Sequence, residues 1–171
     1  MLLLLKKKLM KEDKIMKMKN PLIVVEDMER SVKFYKEVLG LRVIMDFGAN
    51  VTLTGGMCLQ TKDSWMKFLG MTDGDMIRFG GNDAEVYFEE DEFDGFIEKL
   101  SKIDGIRYVH PVQEHSWGQR AVRIYDPDQH VIEIGENIKV VCRRFLESGM
   151  TVEETAKRMD VPLKFVHGCM R

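Results

Sequence analysis

A carboxylate within an apolar strand pattern, Glu133, is the first candidate for chemistry in this chain, and Glu85 is a second carboxylate in a predicted strand. Glu133 interrupts the β-branched run 131–134, and Glu85 lies in the alternating run 84–89. A carboxylate in such a strand faces either solvent or a cavity. Two that share a cavity repel each other unless a cation lies between them. They indicate a divalent metal site, an acid–base pair for proton transfer next to a carbonyl, or pairing with a cationic ligand or an internal arginine such as Arg78, Arg120 or Arg123.

A second group of candidates is aromatic. The segment 110–118, HPVQEHSWG, is predicted to be largely loop, because Pro111 and Gly118 bound it. His115 is a candidate general base there, and Trp117 a stacking wall for a ligand. The alternatives are a solvated histidine and a tryptophan that packs structurally. Trp65, in a short helical pattern over 62–71, is a candidate for the cavity lining or for the core.

Composition limits the classes of partner. The chain has 171 residues and a formal net charge of −2, but residues 20–135 carry twelve basic and twenty-one acidic side chains. This acidic central part disfavours nucleic-acid binding. Three widely spaced cysteines form neither a disulfide framework nor a zinc motif, and no apolar run reaches membrane length. We therefore expect a cytoplasmic protein without a membrane partner.

The apolar periodicities predict one unit twice, in the order β-α-β-β-β. An acidic cap opens each helix and a glycine closes it, at Asp27 and Gly40 and again at Asp91 and Gly105. The repeat predicts two units that share a core. The predicted divisions are a flexible leader over 1–19, a first module over 20–61, a connecting segment with a short helix over 62–83, a second module over 84–136, and a helical extension over 137–171.

The two ends of the chain leave alternatives open. The Leu-, Lys- and Met-rich leader is either a short amphipathic helix or a flexible segment, and we favour the latter. In the extension, Thr151 and Glu154 form a predicted capping box, and Pro162 opens a last helix. This outline resembles a helix-turn-helix, which would imply a regulatory role through DNA binding. The last helix, however, has almost no basic residue besides Lys164. A packing appendage is the favoured interpretation.

Two motifs carry a family resemblance. Residues 27–41, DMERSVKFYKEVLGL, and residues 125–136, YDPDQHVIEIGE, together resemble the vicinal oxygen chelate superfamily. That superfamily includes glyoxalase I, bleomycin-resistance proteins, fosfomycin-resistance enzymes and extradiol dioxygenases. The resemblance implies an α+β fold in which paired βαβββ modules form a curved eight-stranded mixed sheet around a cavity, here followed by C-terminal helices. It also implies a homodimer.

The resemblance places a metal site at four positions, which fall on Asn20, Gln60, Glu85 and Glu133. Only the two glutamates are strong ligands, and the two neutral amides suit a divalent metal poorly. Two expectations therefore stay open with equal weight: the protein binds one divalent metal ion, or it binds no cofactor. The expected function is small-molecule binding in a cleft between the modules, with Asn20, Gln60, Trp65, Trp117 and Arg123 as ligand-binding candidates. Two functions fit these residues. One is a metal-dependent glyoxalase-type lyase or isomerase, with Glu133, Glu85 and His115 as catalytic residues. The other is a non-catalytic protein that sequesters an antibiotic-like ligand.

Overall fold

A computed structural model describes residues 16–72 and 74–171, so most of the predicted leader lies outside the described residues. The described part contains eight strands and six helices. The strands are β1 Leu22–Val25, β2 Val43–Asp46, β3 Asn50–Leu53, β4 Cys58–Thr61, β5 Glu85–Glu90, β6 Arg107–Glu114, β7 Arg120–Tyr125 and β8 Val131–Glu136. The helices are α1 Met28–Leu39, α2 Lys62–Phe68, α3 Phe93–Ser101, α4 Ile138–Glu147, α5 Val152–Met159 and α6 Leu163–Cys169. None of these helices is long and apolar enough to cross a membrane.

The predicted repeat is present as two sheets of identical topology. The strand orders are β1-β4-β3-β2 and β5-β8-β7-β6, with one parallel pair, β1 with β4 or β5 with β8, in each sheet. The α+β class, the eight strands and the C-terminal helices agree with the prediction. The eight strands are divided into two four-stranded sheets, one for each module.

One strand is longer than the sequence predicts. Strand β6 continues through His110 and Pro111 to Glu114, where a loop was expected. Proline is tolerated because β6 is an edge strand whose register is irregular on both sides of His110. His110 therefore lies on the sheet, opposite Arg123 of β7.

The two modules share one apolar core. It combines buried strand residues of both sheets, such as Leu59 and Ile132, with residues of helices α1 and α3, such as Val38 and Leu100. Full burial of a side chain of this size contributes about 1.5–3 kcal/mol. One face of each sheet packs into this core, because strand side chains alternate between the two faces. The opposite face of each sheet is left to carry polar side chains.

The C-terminal helices have a small core of their own. Helices α4, α5 and α6 pack around Val141, Cys142, Ala156, Met159, Val166 and Cys169. The predicted capping box is present, since Thr151 Oγ1 accepts from Glu154 N at 3.1 Å and Glu154 Oε2 accepts from Thr151 N at 2.8 Å. Burial raises the pKa of the Cys142 thiol to about 12, with the neighbouring Cys169 adding to the shift. The Cys142 thiol therefore stays protonated and acts as a small apolar group.

Candidate functional site

Four chemically active side chains form a row across the second sheet. Tyr87 of β5 lies opposite Glu133 of β8, which lies opposite Arg123 of β7, which lies opposite His110 of β6. The chain neighbours of its two central members, Glu133 and Arg123, are fully or almost fully buried in the core: Ile132, Ile134, Val122 and Ile124. Strand alternation therefore directs the row to the face of the sheet that does not pack into the core.

Arg123 joins the two predicted carboxylates. Its Nε donates to Glu85 Oε2 at 2.9 Å, and its Nη2 forms an ion pair with Glu133 Oε2. The Glu133 side chain is 7% exposed, whereas that of Glu85 is 40% exposed. The Glu133 contact is a close ion pair without hydrogen-bond alignment, since Glu133 Oε2 is a buried oxygen with no hydrogen-bonded partner among the described residues. A buried carboxylate needs a nearby cation, and the guanidinium supplies it.

His110 completes the row through contacts of both of its ring nitrogens. Its Nδ1 lies 2.7 Å from the Pro111 carbonyl oxygen, so we assign the ring proton to Nδ1. Its Nε2 lies 3.1 Å from Arg123 Nη1 and is then free to accept from the guanidinium. Arg123 thus contacts His110 and both glutamates.

Tyr87 is held by a buried amide at the other end of the row. Its hydroxyl accepts from Gln119 Nε2 at 2.8 Å and donates to Glu89 Oε1 at 3.1 Å. Burial raises the Tyr87 pKa; the Gln119 hydrogen bond opposes this shift and Glu89 adds to it, so the net shift is upward. Gly135 leaves room for these side chains, since a Cβ there would lie 2.9 Å from Gln119 Nε2.

An open cleft of about 630 Å³ lies beside Glu85 and Arg123. Its lining combines acidic, basic, amide and apolar groups: Asn82, Asp83, Ala84, Glu85, Val109, Arg123, Tyr125 and Val131. The volume is within the range of pockets that bind small organic molecules. The cleft belongs to the second sheet and the segment that leads into it.

The candidate residues of the first module, Gln60 and Asn20, are neutral and already hydrogen-bonded. Gln60 is 3% exposed, accepts from Asn50 Nδ2 at 2.7 Å and donates to Ser64 Oγ. Asn20 donates through Nδ2 to the Gly56 carbonyl. Val24, Gln60 and Asn50 are neighbours in register, as Tyr87, Glu133 and Arg123 are in the second module. The charged side chains of the candidate site therefore belong to the second module.

The aromatic candidates lie apart from the Arg123 cluster. His115 stacks on Trp117 with ring centroids 4.3 Å apart, and Trp117 Nε1 donates to Gln119 Oε1 at 3.0 Å. No hydrogen bond joins His115 to Glu85 or Glu133 within residues 16–72 and 74–171. Trp65 is half-buried on α2, beside the first sheet. The structure brings together Glu85, Glu133 and Arg123 of the predicted site residues.

The comparisons with known proteins agree with this geometry. The family model of the glyoxalase-like domain matches residues 18–139. The chain belongs to the glyoxalase-like family. Its glyoxalase-like domain ends where the helical extension begins, within α4. The superfamily resemblance of the two motifs is thereby confirmed.

Solved structures resemble the glyoxalase-like domain. A protein of unknown function from Agrobacterium tumefaciens str. C58 is 31% identical with a TM-score of 0.63, covering 72% of this chain and 95% of its own. A glyoxalase/bleomycin resistance protein/dioxygenase from Nocardioides is 20% identical with a TM-score of 0.61, and the match covers 80% of this chain and 93% of that protein. A glyoxalase/bleomycin resistance protein/dioxygenase family enzyme from Burkholderia phytofirmans PsJN is 17% identical with a TM-score of 0.58, and the match covers 69% of this chain and 96% of that protein. The last two show the fold alone, and no curated protein matches.

The donor set of the glyoxalase-like domain does not fit a divalent metal. Between residues 16 and 171, Asp73 aside, no three His, Cys, Asp or Glu side chains are grouped to hold an ion. The Arg123 guanidinium already lies against Glu85 and Glu133, and the amides of Asn20 and Gln60 are bonded to other groups. A guanidinium and a metal ion would compete for the same carboxylates. The roles predicted for Glu85 and Glu133 as metal ligands remain predictions.

Sequence reasoning missed three members of this site: His110, Tyr87 and Gln119. A signal existed for Tyr87, which follows Glu85 by two residues and therefore shares its face of β5. His110 was missed because its strand was predicted to end at residue 109. Gln119 is separated from Tyr87 by 32 residues, and only the folded sheet brings their side chains together.

Proposed function

We propose that this chain binds a small organic molecule in the cleft of its second module and that it does so without a metal ion. The observation that carries the proposal is the position of Arg123, whose guanidinium contacts both Glu85 and Glu133. Arg123 supplies the positive charge that the two carboxylates require.

The charges of the cleft favour a ligand with a cationic or hydrogen-bond-donating group. Among the described residues, Asp83 and Glu85 are the two carboxylates of the cleft lining, and Arg123, its one lining guanidinium, is also paired with Glu133. Val109 and Tyr125 offer apolar surface beside them. A molecule with a donor group and an apolar body would match both parts of this lining. The name bleomycin resistance protein on the Nocardioides relative supports a sequestering role of this kind.

A glyoxalase-type lyase or isomerase is the second candidate. It is favoured by one observation, the buried carboxylate of Glu133 next to the Arg123 guanidinium, which also contacts His110. In this version Arg123 would stabilise the negative charge that develops on a substrate oxygen, and a carboxylate would move the proton. A Glu133→Gln variant that retained full turnover of the glutathione hemithioacetal of methylglyoxal would remove Glu133 from such a mechanism.

A homodimer is part of the proposal. Edge strand β2 and the residue after it carry Ile44 and Phe47, which are 60% and 70% exposed. Exposed apolar side chains on an edge strand favour self-association. In sedimentation experiments we expect the double substitution Ile44→Glu and Phe47→Glu to yield monomers, and the control Met170→Glu to have no effect. A wild-type monomer at micromolar concentration would contradict the dimer.

The proposal includes a cytoplasmic location and no nucleic-acid partner. The three cysteines are free and buried, which suits a reducing compartment. The last helix, α6, contributes Lys164 as its one lysine or arginine. A basic recognition surface is needed for DNA contact, so a gel shift with duplex DNA at low salt should show no complex.

The deciding experiment measures metal content and ligand binding on the same untagged protein. We expect substoichiometric metal after purification, and no thermal shift on addition of nickel, zinc or manganese. Metal-free bleomycin, used as a cationic probe, should bind equally well before and after EDTA treatment. Glu85→Gln should weaken this binding, whereas the control Glu37→Gln on the exposed face of α1 should not. Binding that EDTA abolishes and a metal restores would contradict the proposal.

A further inference from the structure

The C-terminal helices hold the loop that connects β6 to β7. Arg158 of α5 donates to the Ser116 carbonyl and, at 3.1 Å, to Glu114 Oε1. Arg144 of α4 donates to the Gly118 carbonyl at 2.8 Å. Both guanidinium groups also lie over the Phe145 ring, 5.1 and 5.2 Å from its centroid. Two helices of the extension thus bind the backbone of one short loop.

Close packing leaves this loop little freedom. Gly118 has a φ of +88°, and a Cβ there would lie 2.7 Å from Phe145 Cε2. Phe145 therefore rests directly on the backbone of Gly118, in a contact that only glycine allows. Within the loop, His115 N donates to the Gln119 carbonyl at 2.8 Å. Movement of the extension would displace Gly118 and, with it, Gln119.

Gln119 in turn connects the loop to the site. Its side chain is buried, and Nε2 donates both to Tyr87 OH and to the Glu136 carbonyl, each at 2.8 Å. Its Oε1 accepts from Trp117 Nε1 at 3.0 Å. With its amide bonded in three directions, Gln119 has one favoured orientation. Tyr87 stands next to Glu133 in the row that ends at Arg123 and His110.

We propose that Gln119 is a positioning residue through which the docked C-terminal helices fix Tyr87 beside Glu133. This inference rests on the proposed function, because it assigns the extension a regulatory influence on that ligand-binding face. Release of the Arg158 and Arg144 contacts frees the loop, Gln119 loses its orientation, and Tyr87 loses its donor. Ligand affinity then depends on whether the extension is docked.

The test follows Tyr87 directly and needs no ligand. The four tyrosines are labelled with 3-fluorotyrosine, and their ¹⁹F resonances are assigned with Tyr→Phe variants. We expect Gln119→Ala and Arg158→Ala to move the Tyr87 resonance in the same direction. The double variant should move it no further than Gln119→Ala alone, because both act through one contact. The neighbouring exposed Lys157→Ala is the matched control and should leave it in place.

Two readouts separate this inference from the proposed function. The buried Tyr35 resonance reports on the fold, and Arg144→Gln releases the loop independently should Arg158→Ala fail to fold. Arg158→Ala should also weaken metal-free bleomycin binding, about three- to tenfold for the loss of one hydrogen bond in the site. A Tyr87 resonance that responds to Gln119→Ala but to neither arginine substitution would overturn the inference. Absence of bleomycin binding in the wild type would count against the proposed function alone.

Discussion

The hydroxyl of Tyr35 donates a 2.9 Å hydrogen bond to Asp126 Oδ2 and thereby joins the two modules across 91 residues of sequence. Both residues are buried, and Asp126 Oδ1 also accepts from the backbone of Asp128 and His130. Burial raises the pKa of Tyr35 well above its ordinary value, and Asp126 adds to the shift. The two motifs that carry the family resemblance are therefore in contact and have a structural role.

Removal of the Tyr35 hydroxyl should destabilise the protein. Tyr35→Phe leaves a buried carboxylate oxygen of Asp126 without this donor, which costs about 1–3 kcal/mol of the free energy of unfolding. Urea denaturation measures the loss. Tyr108→Phe, on a half-exposed edge strand, is the matched control and should change stability by no more than about 0.5 kcal/mol. Equal effects of the two substitutions would show that the Tyr35 hydrogen bond contributes nothing.

The turn after Asp126 contains a backbone conformation that favours glycine. Gln129 donates its backbone N–H to the Asp126 carbonyl at 3.1 Å and has a φ of +71°. A residue with a side chain costs about 1–2 kcal/mol there, part of which the greater unfolded-state entropy of glycine offsets. We expect Gln129→Gly to raise the free energy of unfolding by roughly 0.5–1 kcal/mol. Gln113→Gly, on strand β6, is the control and should lower it.

Local sequence patterns predicted the repeated unit, but they did not predict contacts between residues that are distant in the sequence. Helix α1 begins after Asp27 and ends before Gly40 as its capping residues indicate. Glu133 was identified because a carboxylate within an apolar strand pattern is conspicuous, and Glu85 was identified through the family resemblance. Their contact with Arg123 depends on strand register, which the sequence of a single strand does not specify. The role of His110 required knowing that an edge strand continues through Pro111.

The ion-pair network around Glu136 should make the stability of the protein depend on pH in the acidic range. The side chain of Glu136 is buried, which raises its pKa, but hydrogen bonds from Arg120 and Arg144 outweigh burial and lower it. A carboxyl group with a lowered folded-state pKa contributes stability above its ordinary pKa and loses it as the pH falls. We expect the wild type to lose stability between about pH 5 and pH 3, and Glu136→Gln to lose less over that range.

The control for this prediction is Glu147→Gln, an exposed residue of α4. It should leave the acid dependence of the wild type unchanged in urea titrations at each pH. At pH 7 the Glu136→Gln protein should be less stable by about 1.5–3 kcal/mol, because charge-assisted hydrogen bonds are lost. An identical pH dependence for wild type and Glu136→Gln would show that Glu136 does not contribute to acid sensitivity.

Removal of Arg123 should convert its surroundings into a metal site. In Arg123→Ala the carboxylates of Glu85 and Glu133 and the Nε2 of His110 lose the cation that they share. Two carboxylates and an imidazole form a ligand set that suits zinc, manganese or nickel. Without metal, the variant should be less stable than the wild type by roughly 3–5 kcal/mol, because Glu133 remains buried without a partner.

Calorimetric titration with manganese and zinc tests this exchange of a guanidinium for a metal ion. We expect Arg123→Ala to bind one ion and to regain thermal stability with it, and the wild type to bind none. Arg107→Ala is the matched control, since Arg107 lies over Tyr125 on the neighbouring strand and makes no ion pair with Glu85 or Glu133 in the part of the chain that the structure describes. Equal metal affinity in wild type and Arg123→Ala would mean that Arg123 does not occupy the place of a cation. The binding cleft would then have to be reconsidered as a metal centre.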